Sequence, residues 1–171
     1  MDYLSSYFYT DTIFEFKHLL ADDNCKQIVI DSWKYLFDNR KIEIYAFVIM
    51  PNHINLIWTM LELNGKESPS GSFAKHTAHP FKKYLRNSNP SELSKYASEK
   101  ADRQFQFWKR DPLAIALTSD KAFLQKLDYI HSNPLADRWS LTVLPEDYRW
   151  SSASFYEHGE DEFGILKDFR D

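Results

Sequence analysis

Two apolar, β-rich runs lie almost back to back in the chain and restrict its fold more than any other feature. IEIYAFVIM spans residues 42–50 and HINLIWTML spans residues 53–61, with only Pro51 and Asn52 between them. Proline and asparagine supply the backbone angles of a tight turn, and strands joined by so short a turn form an antiparallel hairpin. The sequence therefore predicts a hairpin whose strands are apolar on both sides.

Other segments add further strands and helices to this hairpin. Strand-like composition occurs in residues 3–20 and 105–117, and helical spacing occurs in residues 23–38, 72–87 and 118–133. We expect a break in the last strand at Asp111–Pro112, a disturbance of the second helix at Pro80 and an end of the third at Asn133, because a proline follows. The order β-α-β-β-α-β-α predicts an α+β fold, a ferredoxin-like antiparallel sheet with helices packed on one face.

Composition limits the class of protein. The 171 residues suffice for one core, and 43% of them are hydrophobic, which indicates a folded chain. We expect one domain over residues 1–171, with residues 135–171 as a C-terminal extension. Only 4 glycines occur and no glycine-rich phosphate loop is found. The single Cys25 cannot form an internal disulfide, and no leader or membrane-length apolar run is visible, so the sequence predicts a cytoplasmic protein without membrane contact.

The second strand of the hairpin carries two polar residues, His53 and Asn55, inside an apolar run. Alternate residues of a strand project from one face, so the imidazole and the carboxamide would flank one point in space. A histidine in such surroundings needs a partner, either a hydrogen bond in the core or a metal. Spacing alone favours the hydrogen-bonded core histidine.

The third predicted helix ends in LDYIHSNP, residues 127–134. Tyr129 and Asn133 are four positions apart and therefore share one face of the helix, whereas His131 points largely the other way. Taken alone, Tyr129 is an ordinary half-buried aromatic residue and Asn133 an ordinary helix end.

Three motifs in this order resemble a known family. MPNHINLIW (50–58), LDYIHSNPLADRW (127–139) and PEDYRWSSASFY (145–156) are similar to the PNHxHL strand, the YIHxNP helix and the YxWSS tail of the REP-associated tyrosine transposases, a branch of the single-tyrosine HUH transposases. The resemblance extends from about residue 42 to residue 156 and therefore covers most of the chain.

This resemblance implies a ferredoxin-like core and a reaction on DNA. Tyr129 would be the nucleophile that attacks a phosphodiester, forming a 5′-phosphotyrosine link and leaving a free 3′-OH. His53 and Asn55 would hold Mg²⁺ or Mn²⁺, and Asn133 would complete the ligand set. The partner would be single-stranded DNA with a REP-like hairpin. The sequence leaves open whether the chain forms a homodimer.

The chain departs from the family motif at Asn55, where a second histidine is expected. An amide oxygen is a harder donor than imidazole, which suits Mg²⁺ or Mn²⁺ but binds more weakly. Either the site holds its metal with lower affinity, or it has decayed and the protein binds DNA without cutting it. The presence of Tyr129, His53 and Asn133 favours activity. A small-molecule enzyme or regulator on the same scaffold is an alternative from another class.

Basic side chains suggest a surface for DNA. They are Lys75, His79, Lys82, Lys83 and Arg86 on the second predicted helix, with Arg103, Lys109, Arg110 and Arg149 outside it. Charged helix faces are usually only solvated, and the functional interpretation is a phosphate-tracking surface beside the active site. Residues 135–171 either pack on the domain or contact DNA, and packing on the sheet is the favoured role of Trp150.

Overall fold

The computed structural model describes all residues, 1–171, and contains one four-stranded antiparallel sheet. The strands are β1 (Ser6–Thr12), β2 (Ile42–Met50), β3 (His53–Met60) and β4 (Leu113–Ala116). Their spatial order is β2-β3-β1-β4, and each neighbouring pair is antiparallel. With one α-helix between β1 and β2 and two between β3 and β4, the predicted ferredoxin-like α+β fold is confirmed.

Five α-helices accompany the sheet. They are α1 (Asp23–Asp38), α2 (Pro69–Ser88), α3 (Pro90–Ser94), α4 (Asp120–Ser132) and α5 (Ala153–His158). The three long helices begin at side-chain caps, because Asp22, Ser68 and Ser119 each accept a hydrogen bond from a backbone N–H of the first turn. As predicted, α4 ends at Asn133, where Pro134 follows and the chain continues as a 3₁₀ helix, Asn133–Leu135.

The hairpin around Pro51 and Asn52 is present as predicted. β2 and β3 pair from Met50 opposite His53 to Ile42 opposite Met60. All eight residues of β3 are buried, because β3 lies between β2 and β1 and both faces of the sheet are covered.

Helices cover both faces of the sheet. On one face α1 and α2 enclose a cluster of 25 buried residues that includes Trp33 and Trp58. On the other face Leu127 and Ile130 of α4 join Ile57 of β3 in a second cluster of 8 buried residues. The expected packing on one face therefore holds for α1 and α2 but not for α4, whose own apolar stripe is buried on the opposite side.

Helix α2 differs from its predicted form because it continues through Pro80 without interruption. Phe73 and Thr77 before the proline and Phe81 and Leu85 after it are all buried. Packing on both sides of Pro80 thus keeps the segment helical despite the missing backbone donor.

The predicted strand 105–117 is shorter than expected. Only Leu113–Ala116 pairs along β1, and the preceding residues form single bridges, such as the one between Ile13 and Trp108. The break falls at Asp111, as predicted, and the backbone of Asp111 is left-handed with φ of 59°. Strand β1 is likewise shorter than the predicted segment 3–20 and is followed by two 3₁₀ turns.

The C-terminal segment covers the outer edge of β2. The Ile49 N–H donates to the Trp150 carbonyl, and the N–H groups of Ser152 and Lys167 donate to the carbonyls of Phe47 and Ile44. These bonds satisfy backbone groups that an open sheet edge would leave unpaired.

None of the helices combines the length and the apolar character that crossing a bilayer requires.

Candidate active site on the α4 face of the sheet

Three polar side chains meet on the face of the sheet that α4 covers. His53, Asn55 and Asn133 are 9%, 1% and 6% exposed. The first two project from β3 to the same side as Ile57, and Asn133 reaches them from the end of α4. The Asn133 amide nitrogen lies 2.9 Å from Asn55 Oδ1 and 3.3 Å from His53 Nε2. The structure thus brings the three predicted ligand positions together.

The imidazole of His53 is neutral and has a defined orientation. Burial lowers the pKa of His53 to about 4, and the positive charge of Arg138 adds to this effect. His53 Nδ1 lies 2.6 Å from Asn52 Oδ1, an oxygen that can only accept. Nδ1 therefore carries the proton, and the lone pair of Nε2 faces Asn133.

The carboxamide of Asn55 is fixed from the opposite side. Its nitrogen donates to Thr10 Oγ1 at 2.7 Å, and Thr10 lies directly across from Asn55 in the pairing of β1 with β3. Because the nitrogen is held by Thr10, the oxygen points toward Asn133.

These side chains fit a divalent cation, although with few donors. His53 Nε2 and Asn55 Oδ1 direct lone pairs at one point, where the Asn133 NH₂ group now donates. A half-turn of the Asn133 carboxamide would place its oxygen there instead, giving one imidazole and two amide donors, which Mg²⁺ and Mn²⁺ accept. No carboxylate belongs to the set, and nowhere in the structure do three His, Cys, Asp or Glu residues form such a group. We therefore expect weak binding.

Tyr129 lies beside this polar cluster and is open to solvent. It is 49% exposed, and its ring and that of Phe8 pack in a T-shaped arrangement with the ring centroids 5.8 Å apart. Tyr129, His53 and Asn55 all line one cleft of about 430 Å³. A phenol in this position can be reached by a substrate that also reaches His53.

Two cations in the same cleft were not predicted from the sequence. The Lys126 ammonium lies 4.5 Å from the centroid of the Phe8 ring and 5.6 Å from that of Tyr129. The Arg138 guanidinium lies 5.6 Å from the ring centroid of Trp139. The signal was available, because Lys126 precedes Tyr129 by three positions on one helix and Arg138 belongs to the LADRW part of the motif.

None of the nine predicted DNA-contact residues lines this cleft. α2 packs on the opposite face, so Lys75, His79, Lys82, Lys83 and Arg86 lie across the sheet from Tyr129 rather than beside it. Four of the nine are paired with carboxylates: Lys75 with Glu67, Arg103 and Arg110 with Asp102, and Arg149 with Glu162. The ammonium of Lys109 approaches the rim of the cleft, 5.5 Å from the Phe16 ring centroid. DNA contact by these nine residues stays a prediction.

His131 faces away from the cleft and joins two of the sequence motifs. Its Nε2 lies 2.8 Å from Ser152 Oγ, and the same oxygen accepts a hydrogen bond from the Phe47 N–H. Burial lowers the pKa of His131 to about 4, so the ring is neutral. The YIHSNP and WSS motifs thus contact each other and hold α4, the tail and β2 together.

The tyrosines of the tail are also engaged with the sheet. The Tyr148 hydroxyl donates to the Ile49 carbonyl and the Tyr156 hydroxyl to the Tyr45 carbonyl, each at 2.7 Å. Trp150 belongs to the buried core. In this structure the motif PEDYRWSSASFY therefore packs on β2.

Comparison with known proteins bears on the fold. No protein-family model and no curated protein matches the chain. Among solved structures, the chain is similar to a REP-associated tyrosine transposase bound to a REP hairpin, with a TM-score of 0.65 and 19% sequence identity. The match covers 100% of this chain and 92% of the other. The chain therefore has the fold of a REP-associated tyrosine transposase, as the three motifs implied.

Proposed function

We propose that the chain is a transposase-like protein that cuts and rejoins single-stranded DNA next to a hairpin, through a covalent tyrosine intermediate. The observation that carries this proposal is that Tyr129 lines one cleft together with His53 and Asn55, and that Asn133 contacts both of those residues. The shared fold supports it, because the similar transposase was solved bound to a REP hairpin.

Tyr129 supplies the nucleophile. Its Oη attacks the phosphorus of a phosphodiester and gives up its proton, the bond from phosphorus to the 3′ oxygen breaks, and that oxygen takes up a proton and leaves as a 3′-OH. The 5′ phosphate is then attached to Tyr129. Because the ester bond energy is conserved in this link, attack by a 3′-OH can rejoin the strand without ATP.

A cation bound at the polar cluster would compensate for the weak nucleophilicity of the Tyr129 phenol. A phenol is a weak nucleophile at neutral pH, since its ordinary pKa is near 10. A divalent cation bound to His53, Asn55 and Asn133 would polarise the phosphate and stabilise the charge of the transition state. The neutral His53 offers a free lone pair at physiological pH, and Asn133, one helical turn from Tyr129, fixes the distance between ligand and nucleophile.

The test is whether the protein forms a covalent adduct with DNA. A labelled single-stranded oligonucleotide with a hairpin is incubated with the protein and Mn²⁺, and the products are separated on a denaturing gel. We expect an adduct that Tyr129→Phe abolishes. Tyr35→Phe is the matched control, because Tyr35 is equally exposed but lies on α1, across the sheet. Equal adduct formation by Tyr129→Phe and by the unmodified protein would refute the assigned nucleophile.

A second candidate function is DNA binding without cleavage, and one observation favours it. His53, Asn55 and Asn133 satisfy one another by hydrogen bonds, so the cluster is stable without a cation. This function requires hairpin binding that is independent of divalent ions. Absence of any salt-dependent DNA binding would instead favour a small-molecule enzyme or regulator.

Asn55→His separates the two DNA-directed functions. An imidazole at position 55 would be a stronger donor for Mn²⁺ than an amide oxygen. A weakened but intact site predicts tighter Mn²⁺ binding, measured by titrating the EPR signal of free Mn²⁺, together with more adduct. If Mn²⁺ binding tightens and no adduct appears, the chain is a binding module.

A further inference from the structure

The cleft beside Tyr129 is positively charged although the chain is acidic. The sequence has 25 Asp and Glu residues against 21 Lys and Arg, yet the residues lining the cleft include Lys126 and Arg138 and no carboxylate. Asp128 and Asp137 are close to these residues in sequence, and neither lines the cleft. This separation of charge favours an anionic ligand.

Both cations are free to bind such a ligand. Neither Lys126 nor Arg138 takes part in any of the ion pairs of the structure. Each lies against an aromatic ring instead, Lys126 on Phe8 and Arg138 on Trp139. The rings restrict the positions of the two charges without neutralising them.

The two cations lie toward opposite ends of the cleft. Lys126 contacts Phe8 of β1, whereas Arg138 lies on Trp139, whose ring is 6.3 Å from that of His53. His53 pairs with Thr12, four residues along β1 from Phe8. Four residues of strand span roughly 13 Å, which is longer than a single phosphate group. One phosphate would not reach both ends.

An exposed aromatic ring completes the rim. Phe16 is 61% exposed and lines the cleft. Glu15 and Phe16 both have left-handed backbone angles, with φ of 54° and 55°, a conformation that is unfavourable for residues other than glycine. The turn thus holds a large ring outward at a cost in free energy. Exposed rings beside cations are what proteins use to stack the bases of single strands.

We infer that Lys126 and Arg138 bind phosphates on either side of the scissile phosphate of one DNA strand, and that Phe16 stacks on a base of the same strand. The scissile phosphate has to lie between Tyr129 and His53. Cations toward the two ends of the cleft therefore bind the phosphates on either side of it. The inference deepens the proposed function and rests on it for the identity of the strand. Binding of the strand at these positions does not require that Tyr129 cleaves it.

The experiment measures binding without chemistry. In a Tyr129→Phe background with EDTA, a fluorescein-labelled single-stranded oligonucleotide is titrated at several salt concentrations and followed by anisotropy. We expect Lys126→Ala and Arg138→Ala each to weaken binding about fivefold and to reduce the slope of log affinity against log salt by about 0.7, the value that one neutralised phosphate contributes on a single strand. Phe16→Leu should weaken binding about fivefold at an unchanged slope.

Lys121→Ala is the matched control, because Lys121 is an exposed lysine of the same helix that does not line the cleft. Its affinity should stay within twofold and its slope should not change. The inference would be overturned if the cleft variants had the same salt slope as Lys121→Ala. It would also be overturned if the protein did not bind the single strand at all. Circular dichroism melts verify that each variant is folded.

The two proposals can fail separately. A reduced slope in the cleft variants, without any Tyr129-dependent adduct in Mn²⁺, refutes the catalytic proposal and supports the strand site. A Tyr129-dependent adduct with unchanged slopes refutes the strand site and supports the catalytic proposal.

Discussion

Asn55 determines how the polar cluster behaves without a cation. Its carboxamide donates to Thr10 and accepts from Asn133 at the same time, so no buried polar group of this residue lacks a partner. A histidine there could donate one N–H to Thr10 and direct the lone pair of its other nitrogen at the cluster, where the lone pair could bind a metal or accept from Asn133. Asn55 satisfies the same two neighbours through an amide oxygen, which binds a cation more weakly.

Asp11 is the buried carboxyl group of the sheet, and its ionisation predicts a pH dependence of stability. Burial raises the pKa of Asp11 to about 7, although the Tyr9 hydroxyl and the Thr12 N–H donate to it. The folded state holds this proton more tightly than the unfolded state does. The stabilisation is thus fully present below pH 3.8, the ordinary pKa of the group, and is lost as pH rises through about 7.

Asp11→Asn should remove this dependence, because an amide does not ionise. We expect the unmodified protein to lose a few kcal/mol of unfolding free energy between pH 5 and pH 9, at about 1.4 kcal/mol per unit of pKa shift, and the variant to lose much less. Urea unfolding at pH 5, 7 and 9 measures the difference. An identical pH profile for both proteins would show that Asp11 does not titrate as its burial indicates.

At the scale of elements, α4 carries both the proposed nucleophile and the connection to the tail. Tyr129 lines the cleft and Asn133 contacts His53 and Asn55, whereas His131 between them bonds to Ser152 on the other side. The orientation of α4 over the sheet therefore depends on an interaction outside the candidate active site.

Ser152→Ala should loosen α4. The change leaves the Phe47 N–H without its side-chain acceptor and deprives His131 of its partner, and an unsatisfied buried group costs about 1–3 kcal/mol. We expect a loss of that size in urea unfolding and faster amide exchange in residues 127–132. Ser154→Ala is the control, since Ser154 bonds only to Glu160 at the surface. Equal stability of the two variants would contradict this role of Ser152.

The elements themselves could largely be predicted from local sequence. The hairpin at Pro51–Asn52 and the end of α4 at Asn133 depend on neighbouring residues, which the sequence displays directly. The shared face of His53 and Asn55, and of Tyr129 and Asn133, follows from strand and helix periodicity. The continuation of α2 through Pro80 could not be predicted, because it depends on burial against α1 and the sheet.

At the scale of the whole molecule, sequence patterns do not show which face of the sheet a helix covers. Both α2 and α4 have one apolar stripe, and only the tertiary structure places them on opposite sides. For this reason the sequence predicts the basic helix beside Tyr129, whereas the structure has it across the sheet.

Sequence patterns likewise do not show which charged side chains form ion pairs. Arg103 and Arg110 share Asp102, whereas Arg138 is free, and no local pattern distinguishes paired from free cations.

The position of α2 leads to a prediction about the two parts of the proposed hairpin substrate. Lys83 and Arg86 of α2 form no ion pair in the structure and face away from the cleft layer. Packed layers are roughly 10 Å thick, and the Debye length at physiological salt is about 8 Å. Charges on α2 are therefore screened from a strand in the cleft, and we expect them to contact the double-stranded stem of a long hairpin instead.

Lys83→Glu combined with Arg86→Glu should consequently act on the stem alone. We expect affinity for hairpin DNA to fall about tenfold, because two phosphate contacts become repulsive, and affinity for an unpaired strand to stay within twofold. Anisotropy titrations in EDTA with the two oligonucleotides measure both values. Unchanged hairpin affinity would mean that α2 is only a solvated surface. An equal loss for the unpaired strand would mean that DNA in the cleft also contacts α2, which the separation of the two helices by the sheet argues against.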